Sequence, residues 1–453
     1  MSTENTDVHA KIVSVKTLLT TPLTIPDYQR PYKWQARQVN QLLDDLIQHR
    51  DKSSYRLGTV VLYQPSRPAD QTAPLEVVDG QQRLLTLTLL RHFLDDKPAK
   101  NESSLLNSPF SASISQQNLQ HNAAVIQSRL ALLEDIKTEL CNFLLHRCQL
   151  VQVTLNNLSE AFQFFDSQNS RGKSLAPHDL LKAYHLREMQ QDTEQAKQQT
   201  VAHWEADINP ADTGASIQLP PLHKIMADYL FRIRRWATGD SGLGFDNNSI
   251  GVFKGVNLAS TPYPWAEPLK ATDCMVAHYN AELSRRWDQQ QRSYPFQLDQ
   301  PMINGKHFFE YVQHYIKLWT QLFIEPKPEL AGLLTTLRSA EYKGRHRVGD
   351  HYIRNLFYCA VLYYYDKFGD HELGNAAQLC FRWAYRDRLE KKRIFPATIN
   401  NRALSRNSLF HRIRRAQQPH EVLSAIIPTV KDNEVSGVDA LKKHFPELKD
   451  DSQ

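Results

Sequence analysis

The spacing of apolar residues changes character once along this chain, near residue 190. Before that point strands and helices alternate. Residues 11–25 read as a strand, or as a short helix followed by a strand. Residues 35–50 put Val39, Leu42, Leu43, Leu46 and Ile47 on one helical stripe. Residues 57–63 form a β-branched strand, and a turn-rich stretch at 64–74 leads into a short buried strand carrying Leu75, Val77 and Val78. Asp79 and Gly80 make a turn, and Gln81, Gln82 and Arg83 open a helix that continues through Leu90. Residues 97–120, rich in Ser, Asn, Gln and Lys, read as a flexible insertion. A helix over about 122–145 follows. The alternating stretch 150–155 predicts a strand that rejoins the first sheet. A helix then ends near Asn169, a polar loop runs to Leu175, and Pro177 starts a helix over 178–189 with Asp179 in its first turn.

Beyond residue 191 strand signals nearly vanish. Residues 220–237, 266–290, 305–323, 348–368, 372–392 and 403–416 carry helical periodicity, and 238–264 reads as a long loop. The expected fold is α+β: an N-terminal α/β domain over 1–190, followed by a mostly helical domain over 191–453. A length of 453 residues suits two or three domains. Charged residues make up 23% and hydrophobic residues 41%, which is ordinary for a soluble globular chain. The first residues lack the basic and apolar regions of a signal peptide, and the apolar run 356–365 is too short to span a bilayer, so a cytoplasmic protein is expected. The five cysteines include no C-x-x-C pair, which argues against a disulfide framework or a zinc site.

Three segments carry candidate chemistry. At 79–83, Asp79-Gly80-Gln81-Gln82-Arg83 joins a strand to a helix start. Such a start offers unpaired N–H groups and the positive dipole end, both suited to phosphate. Gly80 permits close backbone approach, and the amides and guanidinium add donors. At 26–34, Pro-x-Tyr28-Gln29-Arg30-x-Tyr32-x-Trp34 packs aromatics around an amide and a guanidinium. It either staples the N-terminal arm to the domain, the better reading for Trp34, or forms a pocket that stacks and reads a base, the reading that gains for Tyr28, Gln29 and Arg30. At 343–415, sixteen Lys or Arg face six Asp or Glu, in a chain whose net charge is only +5. Arg382, Arg386, Lys391, Lys392 and Arg393 crowd one helix, and Arg412, Arg414 and Arg415 follow. The alternatives are a solvated basic face or an electrostatic footprint for nucleic acid, and the local excess favours the second.

Two tempting motifs fail. Gly172-Lys173-Ser174 lacks the earlier glycine and the preceding strand of a P-loop. Asp387-x-x-Glu390-Lys391-Lys392 has the acids and lysine of a metal nuclease but lies on a predicted helix, and no histidine pair forms a metal motif. No metal site and no self-contained nuclease are expected.

Taken in order, the 26–34 segment, Asp-Gly-Gln-Gln-Arg at 79–83, and the Phe-x-x-Phe-x-Ser-x-Asn-x-x-Gly-x-x-Leu-x-x-x-Asp-Leu-Leu-Lys segment at 162–182 resemble the GmrSD N-terminal-domain family of modification-dependent restriction and phage defence. The resemblance covers residue 11 to about 190. It implies a ParB/sulfiredoxin-like domain that binds and hydrolyses a nucleoside triphosphate, GTP or ATP, with Mg as the accompanying cation. Carried over, Asp79, Gln81, Gln82 and Arg83 are the catalytic candidates. Gly80, Tyr28, Gln29 and Arg30 are nucleotide-binding, with Asn169, Arg171, Gly172, Asp179 and Lys182 as the other wall. The implied partners are DNA, modified phage DNA included, and a second subunit carrying a nuclease module. Two departures stand out. The family's Leu-Thr-Thr-Leu is here Leu84-Leu85-Thr86-Leu87, one hydroxyl short, and the C-terminal histidine–metal nuclease of many relatives is missing. The alternatives are a nucleotide or DNA switch that does not hydrolyse, or a complete nuclease with an unrecognised site.

Overall fold

The computed structural model describes residues 9–26, 29, 31–64, 74–95, 105–107, 113–156, 176–189, 192–208, 219–282, 290–430 and 435–448. The architecture is α+β. The N-terminal part holds strand β1 (His9–Ser14), helix α1 (Val15–Thr20), β2 (Leu23–Thr24), α2 (Ala36–His49), β3 (Tyr55–Tyr63), β4 (Leu75–Asp79), α3 (Gln81–Leu94), α4 (Ser113–Ala131), α5 (Lys137–Asn142) and β5 (Cys148–Leu155). The five strands form one mixed sheet in the order β1-β5-β3-β4-β2. β5 runs antiparallel to β1 and parallel to β3, so the strand expected at 150–155 does join the sheet. β4 is antiparallel to β3 and parallel to β2.

Side chains alternate across a strand, so neighbouring residues feed two clusters. Val60, Leu62 and Val77 join the large core with Val39, Leu43 and Leu46 of α2 and Leu84, Leu85 and Leu87 of α3. Val61, Val78, Val153 and Leu155 form a small cluster of their own. The first core explains why α2 and α3 hold their places: each lays its apolar residues against the same sheet.

Two expectations about 97–145 need correction. Residues 113–120, expected in a flexible insertion, form the start of α4. The helix expected over 122–145 is instead α4, α5 and a π turn at Phe143–Arg147. The polar composition misled because Ser115 and Asn122 are buried and hydrogen-bonded to the chain around Tyr32, so these polar side chains serve the interior. Residues 157–175, including Asn169, Arg171 and Gly172, lie outside the described residues, as do Tyr28 and Arg30.

The chain divides into two compact units, 1–175 with 192–202, and 176–191 with 203–453. A boundary near 190 was expected, whereas these contacts group α6 (Pro177–Glu188) with the helical unit. Pro177 takes the first helical position of α6. α7 (Glu194–Ile208) divides between the two units. The second unit continues with α8 (Phe231–Thr238), α9 (Glu267–Ala281), α10 (Lys306–Trp319), α11 (Pro328–Arg338), α12 (Val348–Phe368), α13 (Leu373–Glu390), α14 (Pro396–Ala403), α15 (Leu409–Arg415) and α16 (Pro419–Leu423). The apolar periodicity did not single out α7, α11 or α14. Within this unit His185 of α6 is fully buried and stacks on Phe308 at 3.8 Å. Burial drives its pKa down to about 3. The neutral ring accepts from the Gly305 N–H and faces the Phe253 carbonyl. Among the described residues no helix is long and apolar enough to cross a membrane.

Candidate functional site

The strand-to-helix junction of the first unit is built around two glycines. Gly80 ends β4 in the left-handed region at φ 92° and caps α3 without any side-chain cap. A side chain at Gly80 would be strained by that φ, and its Cβ would come within 2.9 Å of Val60 Cγ2. The first α-helical bond runs from Leu84 N to Gly80 O, so the N–H groups of Gln81, Gln82 and Arg83 have no intrahelical acceptor. Gly58 is the second glycine. It sits at φ 117° where the register of β3 against β5 shifts between Arg56 and Thr59. A Cβ at Gly58 would lie 2.9 Å from Arg83 Nη1, so the bulge leaves room for the guanidinium.

Arg83 is half-buried beside this bulge, and its Nη1 donates to Thr59 O at 3.1 Å. Burial lowers its pKa, and the Asp79 carboxylate pulls it partly back. A cation held in a partly dry site attracts a phosphate more strongly than one in water. An isolated glycine inside the apolar run 57–63 was the available sequence signal for this close approach.

The two glutamines differ. Gln82 Oε1 accepts from Lys33 N at 2.7 Å and Trp34 N at 3.2 Å, and its Nε2 donates to Pro31 O at 3.1 Å. All of these bonds hold the 31–34 backbone, so Gln82 acts here as a staple. Gln81 is 6% exposed, and its Oε1 is buried with no hydrogen-bond partner among the described residues. Gln29 is also a staple: Nε2 donates to Val77 O at 2.9 Å and Val78 O at 2.7 Å, extending the edge where β2 pairs with β4.

Sequence reasoning missed the support beneath this junction. Tyr32 is fully buried. Asn122 Nδ2 donates to Tyr32 Oη at 3.0 Å, Tyr32 Oη lies 2.8 Å from Thr86 Oγ1, and Thr86 Oγ1 donates to Gln82 O at 2.9 Å. With Tyr32 as donor to Thr86, the chain of bonds runs in one direction, which reinforces each link. Burial also raises the Tyr32 pKa, which keeps the proton on the phenol. Leu85 is fully buried in the large core, so the position lacking the family's hydroxyl serves packing.

The remaining described site candidates belong to the second unit. On α6, Asp179 lies 3.8 Å from His178, and Lys182 is buried at 1% exposure. The basic stretch is less free than its count predicts. Arg382 pairs with Glu447 at 3.0 Å, Arg386 with Glu390 at 2.9 Å, and Lys391 with Asp387 at 2.9 Å. Arg402 also meets Asp387, at 2.8 Å. Burial pushes the Asp387 carboxyl up, but the bonds from Arg402 and Lys391 outweigh it and its pKa is lowered. Buried Arg388 lies 3.8 Å from Asp350. Arg414 donates to Ala237 O at 3.2 Å and lies 3.9 Å from Asp299. Arg382 and Arg386, candidates for DNA contact, are thus each ion-paired within this unit. Glu447 and Asp299 lie outside 343–415, so a windowed count could not include them. Lys392, Arg393, Arg412 and Arg415 remain exposed.

The metal-nuclease reading of 387–392 has no support in geometry, because Asp387 and Glu390 are engaged in these ion pairs on α13. Among the described residues no group of three or more His, Cys, Asp or Glu is arranged to hold a metal. Burial pushes the thiols of Cys148 and Cys380 up to about 12, which suits packing rather than nucleophilic chemistry.

Residues 11–186 match the family described as GmrSD restriction endonuclease, N-terminal domain. Residues 196–440 match a family of unknown function, DUF7834. No curated protein matches the chain. The chain thus belongs to the DUF7834 family, whose region covers more than half of its length, and it carries a GmrSD N-terminal domain ahead of that region.

Proposed function

We propose that this protein is the nucleotide-binding and nucleotide-hydrolysing sensor or regulatory component of a cytoplasmic, modification-dependent DNA restriction system. The match at 11–186 supports the restriction role. The nucleotide reading rests chiefly on the helix start at Gly80, where three N–H groups without intrahelical acceptors adjoin a guanidinium in a bulge cleared by Gly58. Arg83 and the N–H groups of Gln81 to Arg83 would hold the phosphates, and the buried Gln81 Oε1 is the acceptor left for a water. The triphosphate, GTP or ATP, supplies the phosphoryl bond that is hydrolysed. A Mg ion would be held largely through its phosphates, with Asp79 as the carboxylate of the motif. In this scheme DNA, including modified phage DNA, meets the helical unit, and a second subunit supplies the nuclease.

The test is phosphate release by purified protein, with and without DNA. Turnover that disappears in Arg83→Ala supports the reading. Absence of nucleotide binding, or turnover untouched by that change, defeats it. A second reading, a switch that binds nucleotide without hydrolysis, is favoured by one observation: the Gln82 amide is already committed to the 31–34 backbone. Tight binding with no product release distinguishes this second reading.

A further inference from the structure

A cleft of about 850 Å³ lies in the second unit, lined by Arg406, His411, Arg412, Arg415, His420 and Ile426 among others. Its charge differs from that of the neighbouring basic helix. Arg406 and Arg415 are exposed and make no hydrogen bond or ion pair with any described residue. Arg412 is held in place instead of paired: Nη1 donates to Glu421 O at 2.5 Å and to Ser424 Oγ at 3.2 Å. Glu421, the one acid among the described residues lining the cleft, accepts through Oε1 from the Gln417 and Gln418 N–H groups at the start of α16. Three guanidiniums therefore line the cleft with one carboxylate, Glu421, which forms no ion pair with them, while Arg382, Arg386 and Lys391 are each ion-paired.

The lining is not uniformly polar. Ile426 is 85% exposed there, and Ile427 and Pro428 adjoin it. An exposed apolar side chain beside arginines without ion pairs suits single-stranded nucleic acid, with phosphates on the cations and a base face against the apolar surface. The volume falls within the range of small-ligand pockets, about 300–1,000 Å³. A space of that size suits unpaired nucleotides better than a whole duplex.

We propose that this cleft binds a short single-stranded segment of nucleic acid, with Arg406, Arg412 and Arg415 on successive phosphates and Ile426 beneath a base. The proposal rests on the reading that the helical unit contacts DNA, and it narrows that contact to one cleft and one strand form.

Fluorescence anisotropy of the full chain with a labelled oligonucleotide, single-stranded or annealed to its complement, tests the proposal. The single strand is expected to bind about tenfold more tightly or better, with a log–log salt slope of about −2 for three neutralised phosphates. Arg406→Glu combined with Arg415→Glu is expected to weaken single-strand binding on the order of a hundredfold, since two charge-assisted contacts become repulsive. The melting temperature of that variant should be unchanged, because neither side chain bonds to any described residue. Lys392→Glu combined with Arg393→Glu, outside the cleft, should lower affinity by less than about threefold. Undiminished single-strand binding by the cleft variant overturns the proposal, as does an equal or greater preference for duplex. If duplex still binds in either case, the wider DNA reading survives. If the wild-type chain binds neither form, that reading falls too.

Discussion

The junction at 79–83 and the basic stretch at 343–415 both attracted attention as places for phosphate, but they are built by opposite rules. The junction is local. A strand end, one glycine at φ 92° and a helix start are contiguous in sequence, and the donors they expose follow from helix geometry. The basic stretch is not local in this sense. Its arginines are neutralised by residues near and far, including Glu447 and Asp299, and only part of the charge remains free. Backbone donors at a helix start are placed by the helix itself and do not titrate, whereas side-chain charges are placed and paired by whatever packs near them. A motif made of backbone conformation therefore survives folding more predictably than a motif made of net charge.

Experiments can break this contrast, beginning with the largest expected effect. Arg83→Ala should cut nucleotide turnover by about 10²–10³-fold, the usual cost of removing one donor to developing charge, as measured by phosphate release at saturating nucleotide. A loss of less than threefold would make the junction a connection and nothing more. In the basic region, Asp387→Ala should destabilise by about 3 kcal/mol in denaturant titration, because it leaves Arg402 without its buried partner. The pH dependence has a definite sign here. The Asp387 pKa is lowered on folding, so its stabilisation is present above the unfolded carboxylate value of about 3.9 and is lost as pH falls through the folded value. The wild-type protein should lose this contribution in acid and the Asp387→Ala protein should not.

A finer test separates the two glutamines. Gln82→Ala should cost about 2–3 kcal/mol, since it removes the bonds to Pro31, Lys33 and Trp34. Gln81→Ala should change stability by less than about 0.5 kcal/mol but weaken turnover, because Oε1 has no partner to lose among the described residues. If both variants unfold alike, the division between staple and site is wrong. Gly58→Ala should cost about 1–3 kcal/mol through strain at φ 117° and should lower turnover by displacing Arg83. Retained turnover would detach the bulge from the site. The smallest effect is expected for Arg393→Ala, within about 0.5 kcal/mol of wild type by thermal melting, as suits an exposed side chain.

Much of the fold was legible because it depends on short-range pattern. The stripe of α2, the strands β3 and β4 and the return of β5 to the sheet follow from spacing that repeats every two or every 3.6 residues, and the start of α6 from the fit of Pro177 to a first helical position. The early start of α4 was not legible. Ser115, Asn118 and Asn122 look like loop residues, yet they bond to the chain at Tyr32 and Trp34 from a helix. Nothing in their own neighbourhood identifies partners about ninety positions away. The site was half legible for the same reason. Asp79 to Arg83 could be found from the turn and helix signals, but the roles of Gln29 and Gln82 could not, since an amide beside a phosphate-friendly helix start can serve a ligand or a backbone equally well.

Sequence alone determined the α+β plan, the position of the strand-to-helix junction and its backbone donors, because these depend on residues within a few positions of one another. It also carried the family resemblance at the N-terminal domain. Tertiary structure alone decided which polar side chains were spent on the fold. It assigned Gln82, Gln29 and Tyr32 to holding the 29–34 segment, cleared space for Arg83 with Gly58, and cancelled much of the charge on α13. The physical reason is that hydrogen bonds and ion pairs act over a few ångströms of space with no regard for distance along the chain. Composition counts donors and charges, but only the folded chain shows which of them remain available to a ligand.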